Sequence, residues 1–424
     1  MADGRTVAVI GGGWAGLAAA VRATALGHRV TVFEMAGQLG GRSRGVDIGG
    51  LALDNGQHIL IGAYAATLAL MHTVGVDAGQ ALLRTPLRLT TPDGAGLHLH
   101  DGAPIVAFAG AVLRQRGWST TERLALLAAA GGWALRRFRC DPMLTVAALT
   151  ARLPRPVREE LIDPLCVAAL NTPADEASAS VFLRVLRDAL FSGPGSADLL
   201  LPRQSLSDLL PAPAQRWLAA AGAELRLQQR VDSLRAQGDV WQVDGRAFDR
   251  VVLAASPNEA ARLVADIAPA WSAATSRLRF EPIVTVYLRS ENARLPAPML
   301  ALRCDAEAPA QFVFDRGQLG GPPGLLAFVI SGAQPWVKRG MEATTQAVEA
   351  QARAALSRHL RGPLAAVRTL TEKRATFRCT PGLHRPGMRI AAGLFAAGDH
   401  VAGPYPATLE GAVRSGLEAA ERLA

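Results

Sequence analysis

The passage from Thr6 to Val21 constrains this chain more than any other. A β-branched run, Thr6-Val-Ala-Val-Ile10, leads straight into Gly11-Gly-Gly13-Trp-Ala-Gly16 and then into the helix-forming Leu17-Ala-Ala-Ala-Val21. Strand, glycine turn and helix in that order predict the opening of a dinucleotide-binding βαβ unit. In such a unit Gly11 makes the tight turn, Gly13 lets the backbone approach a pyrophosphate, and Gly16 lets helix and strand pack closely. Trp14 and Ala15 fall in the first helical turn, whose unpaired N–H groups face the anion. A second run, Arg29-Val-Thr-Val-Phe33, ends in Glu34, about 20 residues beyond the glycines, where an acid accepts hydrogen bonds from a ribose 2′-hydroxyl. An acid there argues against an added 2′-phosphate.

Gly40-Gly-Arg-Ser-Arg44 is a second glycine turn, whose backbone donors and arginines suit the phosphates and ribityl chain of a flavin. Near the far end, Leu394-Phe-Ala-Ala-Gly-Asp399 reads as a strand ending in Gly-Asp, and Ala407-Thr-Leu-Glu-Gly411 opens a last helix. The positive end of that helix dipole suits the negative charge that a flavin gathers on reduction. Together these blocks resemble the flavoprotein superfamily of amine oxidases, protoporphyrinogen oxidases and carotenoid desaturases. The resemblance implies FAD as cofactor. It implies an α/β fold, a Rossmann-like FAD-binding domain of the double-glycine type with a discontinuous α+β substrate domain. It assigns cofactor contacts to Gly11, Gly13, Trp14, Ala15, Gly16, Glu34, Gly40, Gly41 and Arg42. To these it adds Gly398, Asp399, Thr408, Leu409 and Glu410, with Gly411 near the ring. Val231 would sit near the adenine and Ala254-Ala255-Ser-Pro257 near the pyrophosphate.

Leu53-Asp-Asn-Gly-Gln-His58 narrows the resemblance to the squalene-associated FAD-dependent desaturase group, whose members are hydroxysqualene dehydroxylases. GGGWAGLAAA, GGR, LDNGQHILIGAY and AAGDHVAGPYPATLEGAVRSG stand here as that group has them. The implied activity is reductive removal of the hydroxyl of hydroxysqualene to give squalene, in squalene and hopanoid biosynthesis. A hydroxyl beside a carbon–carbon double bond leaves as water once protonated, so the site needs an apolar channel, a proton donor and reducing equivalents. His58 is the leading general-acid candidate, since imidazole titrates near neutrality; it is equally suited to holding Asp54 or a phosphate oxygen. Asp54 and Asn55 read equally as turn residues. Tyr405 and His400, flanking Pro404, are further candidates or members of a rigid loop, and His28 reads as a solvated loop residue. No substrate-binding residue stands out. Competing readings are an oxidase or desaturase of carotenoids, amines or porphyrinogens, and a non-catalytic prenyl-lipid carrier on the same scaffold.

Basic residues outnumber acidic ones, 45 to 36, yet Lys338 and Lys373 are the only lysines and no basic run interleaves with aromatics. Nucleic acid is therefore not an expected partner. The four cysteines are scattered without metal or disulfide spacing, so no metal site is expected. The first strand follows Met1-Ala-Asp-Gly-Arg at once, which leaves no room for a signal peptide and points to a cytoplasmic protein, free or on the inner face of a membrane. The apolar stretches Ala103–Leu113 and Leu124–Leu135 are short and separated by Arg114, Arg116, Glu122 and Arg123, so spanning is not expected. With Arg136, Arg137 and Arg139 at their edge they suit either peripheral membrane contact or the lining of a core. A water-insoluble substrate also points to association with the synthases that make it.

The cofactor pieces at both ends and in the middle imply a discontinuous FAD-binding domain over 1–81, 203–270 and 385–424, and a substrate domain over 82–202 and 271–384. Glu224 to Leu253 alternates like a small β-meander. Strands are expected at Ile283–Leu288 and Leu325–Ile330, a helix over Ala343–Leu360, and a helix start at Thr120-Thr121 before Glu122.

Overall fold

β1 (Thr6–Ile10) ends at Gly11, whose φ of 110° favours glycine, and the chain turns there into α1 (Trp14–Ala25). β2 (Arg29–Phe33) returns parallel to β1, pairing Thr6 with Arg29 through Ile10 with Phe33. Val7 and Val9 face α1 while Ala8 and Ile10 face the opposite layer, so β1 is apolar throughout because both its faces are covered. The computed structural model describes residues 4–423; Met1, Ala2 and Asp3, on which the leader expectation partly rests, and Ala424 lie outside them.

A hairpin of Gly45–Ile48 and Leu51–Asp54 follows the second glycine turn. Beyond it the chain becomes largely helical, with α2 (Pro104–Arg114), α3 (Thr120–Leu135) and α4 (Ala179–Phe191) gathered on a core that includes Leu126, Trp133, Phe182 and Leu183. α3 starts at Thr120, as the threonines imply. Ser119 is its cap, accepting from Glu122 N while the Glu122 carboxylate accepts from Ser119 N at 2.6 Å, a reciprocal capping box.

Only the centre of the expected meander is one. Leu234–Gln237, Val240–Val243 and Arg246–Phe248 form a three-stranded antiparallel sheet, but Glu224–Arg226 pairs parallel with β2. β3 (Arg250–Leu253) likewise pairs parallel with β1. Its Val251, Val252 and Leu253 are fully buried between layers, an environment a surface meander lacks.

β4 (Phe280–Ser290) is longer than expected and forms a second, five-stranded antiparallel sheet. It pairs on one side with Leu325–Ile330, whose bounds match the sequence pattern, and on the other with β5 (Leu364–Phe377). Val284, Val286 and Leu288 pack on the helix Met341–Ala355, which stops short of the expected Leu360. The opposite face, with Tyr287, Phe312 and Phe314, packs against Leu53, Leu199 and Leu201.

β6 (Leu394–Ala396) then returns to the first sheet, parallel to β3. That sheet runs Glu224–Arg226, β2, β1, β3, β6 and Arg389–Ala391, with only the last strand antiparallel. α5 (Leu409–Glu421) closes the chain by packing along α1, where a Cβ on Gly416 would lie 2.1 Å from Ala15 O. Both ends and the middle of the chain thus build one Rossmann-like α/β layer.

Candidate active site

The carboxyl ends of β1, β2, β3 and β6 bring Gly11, Glu34, Ala254 and Gly398-Asp399 to one edge of the sheet, where open α/β sheets bind ligands. A Cβ on Gly16 would meet Gly11 O at 1.8 Å, so helix and strand touch backbone to backbone. Gly13 is different: the nearest atom to a Cβ there is Gly41 Cα at 4.0 Å, and no side chain caps the start of α1. The two glycine turns are joined, with Gly40 N donating to Gly12 O at 2.9 Å and Trp14 Nε1 donating to Ser43 O at 3.0 Å. The buried Glu34 carboxylate accepts from Gly12 N at 2.7 Å and Ala36 N at 2.8 Å. Gln229 N donates to Glu34 O and draws the following segment alongside, where Val231 is buried in the cluster of Phe33 and Phe248.

At the other end of this edge Arg42 donates to Asp399 Oδ1 at 2.6 Å and to Ala375 O at 2.8 Å. Burial by itself would raise the Asp399 carboxyl, but the charge and hydrogen bond of Arg42, joined by His400 beside it, together outweigh burial and hold the group well below the usual carboxylate range. His400 beside it is 2% exposed, and its Nε2 has no partner. Arg385 ties the loop together, donating to Asp399 O at 3.1 Å and Tyr405 O at 2.9 Å, while Arg184 reaches the Tyr405 hydroxyl at 3.3 Å. Thr408 caps α5 by accepting from Gly411 N at 3.1 Å, and Leu409 opens the helix. The Glu410 side chain turns away from this edge. It is fully buried and accepts from Ala66 N, from Thr67 N and Oγ1, and from Arg414. Only its backbone is left for a cofactor. An uncapped helix start, an acid at Glu34 and the orphaned His400 Nε2 together fit a dinucleotide lying across the strand ends.

The Leu53–His58 block braces the second glycine turn. Asn55 N donates to Arg44 O at 3.0 Å, Asn55 Oδ1 accepts from Arg44 N at 3.2 Å, and its amide donates to Arg42 O. His58 Nδ1 lies 2.9 Å from Gly56 O, so it carries the proton, and Nε2 accepts from the Ser43 hydroxyl at 2.9 Å. Burial lowers the His58 pKa, with the Arg42 charge in support. A neutral ring engaged at both nitrogens has no proton to give, so the geometry speaks against the general-acid expectation for His58, and its partner is Ser43 rather than Asp54. His28 lies in the loop between α1 and β2, as expected, but is half-buried there, with an unpartnered Nδ1.

Asp54 is no mere turn residue. It is buried, accepts from Leu206 N at 2.8 Å, lies 3.6 Å from Arg316, and burial raises its pKa. Arg316 also donates to Gln57 Oε1 at 3.1 Å, which fixes the amide and leaves Gln57 Nε2 buried without a partner. Thr285 Oγ1 is likewise buried and unpartnered, 3.9 Å from where a Cβ on Gly56 would be. Sequence reasoning missed Gln57, Thr285 and Arg316. They come from three separated segments, and no local pattern marks them. Beside them runs the apolar face of the second sheet, including Ile283, Val367 and Leu370.

The flavin-containing amine oxidoreductase family matches residues 14–424. A hydroxysqualene dehydroxylase of Rhodopseudomonas palustris is 31% identical, over 98% of this chain and 98% of its own length. One from Sinorhizobium fredii is 27% identical with the same coverage of both. Among solved structures, an oxidoreductase of Methanosarcina mazei superposes with a TM-score of 0.76 at 18% identity, over 98% of this chain and all of that one. The chain belongs to the flavin-containing amine oxidoreductase family and groups within it with the hydroxysqualene dehydroxylases.

Proposed function

We propose that this chain is an FAD-dependent oxidoreductase that reductively removes the hydroxyl of hydroxysqualene and delivers squalene. The observation that carries the reading is the end-to-end similarity to hydroxysqualene dehydroxylases, joined to a cradle in which both glycine turns, Glu34 and Asp399 line one sheet edge. When bound, reduced FAD would supply the hydride that replaces the hydroxyl on carbon and would itself be oxidised, while the hydroxyl leaves as water with a proton drawn from solvent. The division of labour follows the domains, with 1–81, 203–270 and 385–424 holding the cofactor and 82–202 and 271–384 enclosing the substrate.

In this reading the N–H groups at Gly13 to Gly16 take the pyrophosphate and Glu34 takes the ribose. Gly40, Gly41, Arg42, Gly398 and Asp399 fix the ribityl side, the α5 backbone at Thr408 to Glu410 approaches the ring, and Val231 walls the adenine. Gln57 Nε2 and Thr285 Oγ1 hydrogen-bond the departing oxygen, because an unpartnered buried donor beside an apolar wall gains most from a polar ligand atom. Arg316 positions the Gln57 amide. His58 positions Ser43 and Gly56 and donates no proton. The enzyme works on the cytoplasmic side, in contact with the membrane surface and with the synthases that make its substrate. Among the described residues no helix is long and apolar enough to cross a membrane.

The deciding test is the FAD-loaded protein with hydroxysqualene and a reductant, with squalene as the expected product. A product more unsaturated than the substrate, or no turnover with FAD bound, would overturn the reading. His58→Gln is expected to keep flavin absorbance and most turnover, and Gln57→Leu to lower kcat about 10²-fold, in line with loss of one preorganised donor.

A further inference from the structure

α2 and α3 break the rule that governs surface helices. Their inward faces, Ala111 and Val112 on α2 and Leu126 and Trp133 on α3, enter the helical core. The outward faces of such helices ordinarily carry charge along their length, but here it is confined to the helix ends. Along α3 the exposed positions from Leu124 onward are Leu124, Ala128, Gly131 and Leu135, spaced four, three and four apart on a single stripe, and Leu135 is 88% exposed. Along α2, Ile105, Val106 and Leu113 are exposed, Val106 at 71%. Neither α2 nor the stretch Leu124–Leu135 of α3 has a charged side chain before its end. α2 packs against both α3 and α4, and Phe191 at the end of α4 meets Phe138, just past α3, with ring centroids 4.9 Å apart. The apolar outer surface is thus shared by neighbouring elements and is not the accident of one side chain.

Charge collects only at the helix ends. From Ala103 to Cys140 the sequence holds six arginines and one acid, Glu122. Arg114, Arg116, Arg136, Arg137 and Arg139 are all exposed. With 11 and 16 residues, α2 and α3 are too short to span, since spanning takes about 20. We propose that the outer faces of α2 and α3 lie in the interfacial layer of an anionic phospholipid bilayer, leucines and valine in the acyl boundary and arginines among the headgroups. A second copy of the chain is disfavoured as occupant, because a two-fold contact would set the two arginine rims against each other. A cleft of about 110 Å³ lies at the foot of α2, lined by Leu87, Leu99 and Ala107 and by the polar His100, Asp101 and Asp198, so the helix that meets lipid also walls an opening in the protein. The inference deepens the membrane contact of the proposed function by naming its face and its lipid.

The test is flotation of the FAD-loaded protein with vesicles of phosphatidylcholine alone or mixed with phosphatidylglycerol. The wild type is expected to float with the mixed vesicles and at least ~10-fold less with the neutral ones. Leu124→Glu/Leu135→Glu lowers partition by about 10-fold or more, and Arg116→Gln/Arg136→Gln/Arg139→Gln by on the order of 100-fold at low salt. Both variants keep flavin absorbance and turnover of detergent-dispersed hydroxysqualene. The face is overturned if the wild type stays in solution, if both variants float as the wild type does, or if the glutamates instead split a dimer seen by light scattering. Flotation without hydroxysqualene turnover would uphold the face and overturn the substrate; turnover without flotation would do the reverse.

Discussion

One added methyl group has opposite expected consequences at Gly16 and Gly13. At Gly16 it would stand 1.8 Å from Gly11 O, backbone against backbone, and neither partner moves without opening the first turn. Gly16→Ala is expected to cost about 3 kcal/mol in urea unfolding, the upper part of the overpacking range. Gly13 has an ordinary extended φ of −74° and open space beside it. Gly13→Val should therefore melt close to the flavin-free wild type and purify colourless, because the bulk falls where the pyrophosphate comes in; a yellow Gly13→Val protein would refute that placement. Asp399 adds a pH dependence. Its folded pKa lies below the ordinary 3.8 because Arg42 and His400 together outweigh burial, so its stabilisation is complete above that value and is lost as pH falls below it, where the unfolded chain takes up the proton first. Arg42 is about one-third exposed, which limits the cost of Asp399→Asn to about 1–3 kcal/mol at pH 7. Urea midpoints of variant and wild type should begin to draw together as pH falls below about 4, and a gap independent of pH would show that the ion pair is not its source.

Among the elements, α5 is fastened at its first turn by the Glu410 carboxylate. Glu410 occupies the uncapped start of the helix Ala65–Thr73, taking two backbone N–H groups and the Thr67 hydroxyl. Removing it leaves those donors buried and Arg414 unpaired, so Glu410→Ala is expected to cost about 2–4 kcal/mol in urea unfolding, with Glu410→Gln recovering part of it. Equal midpoints for Ala and wild type would mean that helix packing alone holds α5. The same elements show what a sequence displays. β1, α1, β2 and the Gly398-Asp399 turn were legible because glycines and β-branched runs act within a few residues. β5 was not, since it is an edge strand carrying Arg368, Glu372, Lys373 and Arg374; charges that blunt an open edge also erase the alternation by which strands are recognised. Glu224–Arg226 looked like part of a meander because three residues cannot reveal which sheet they join. Gln57, Thr285 and Arg316 were invisible for a third reason: their meeting is tertiary.

At the scale of the whole molecule, the first sheet cannot be completed until nearly all of the chain exists. β3 sits between β1 and β6, and α5 covers the side of α1 at Ala15 and Ala18. The pairings join residues hundreds of positions apart, so most of the closure entropy is spent before the cofactor edge forms. FAD therefore binds late, after the last strand and helix have docked, and it holds the two ends together once bound. A chain stopped after Gly387 lacks β6, Asp399 and α5, and leaves the β3 edge and the Gly416 contact with Ala15 open. It is expected to purify without flavin and to show rapid amide exchange in β1 and β3. Co-expression of residues 388–424 should restore both colour and protection, because the missing strand and helix dock through noncovalent contacts alone. A yellow protein from the shortened chain by itself would show that the carboxyl end is dispensable for the cradle, and the cofactor would then have to be held by the first glycine unit without help from Asp399.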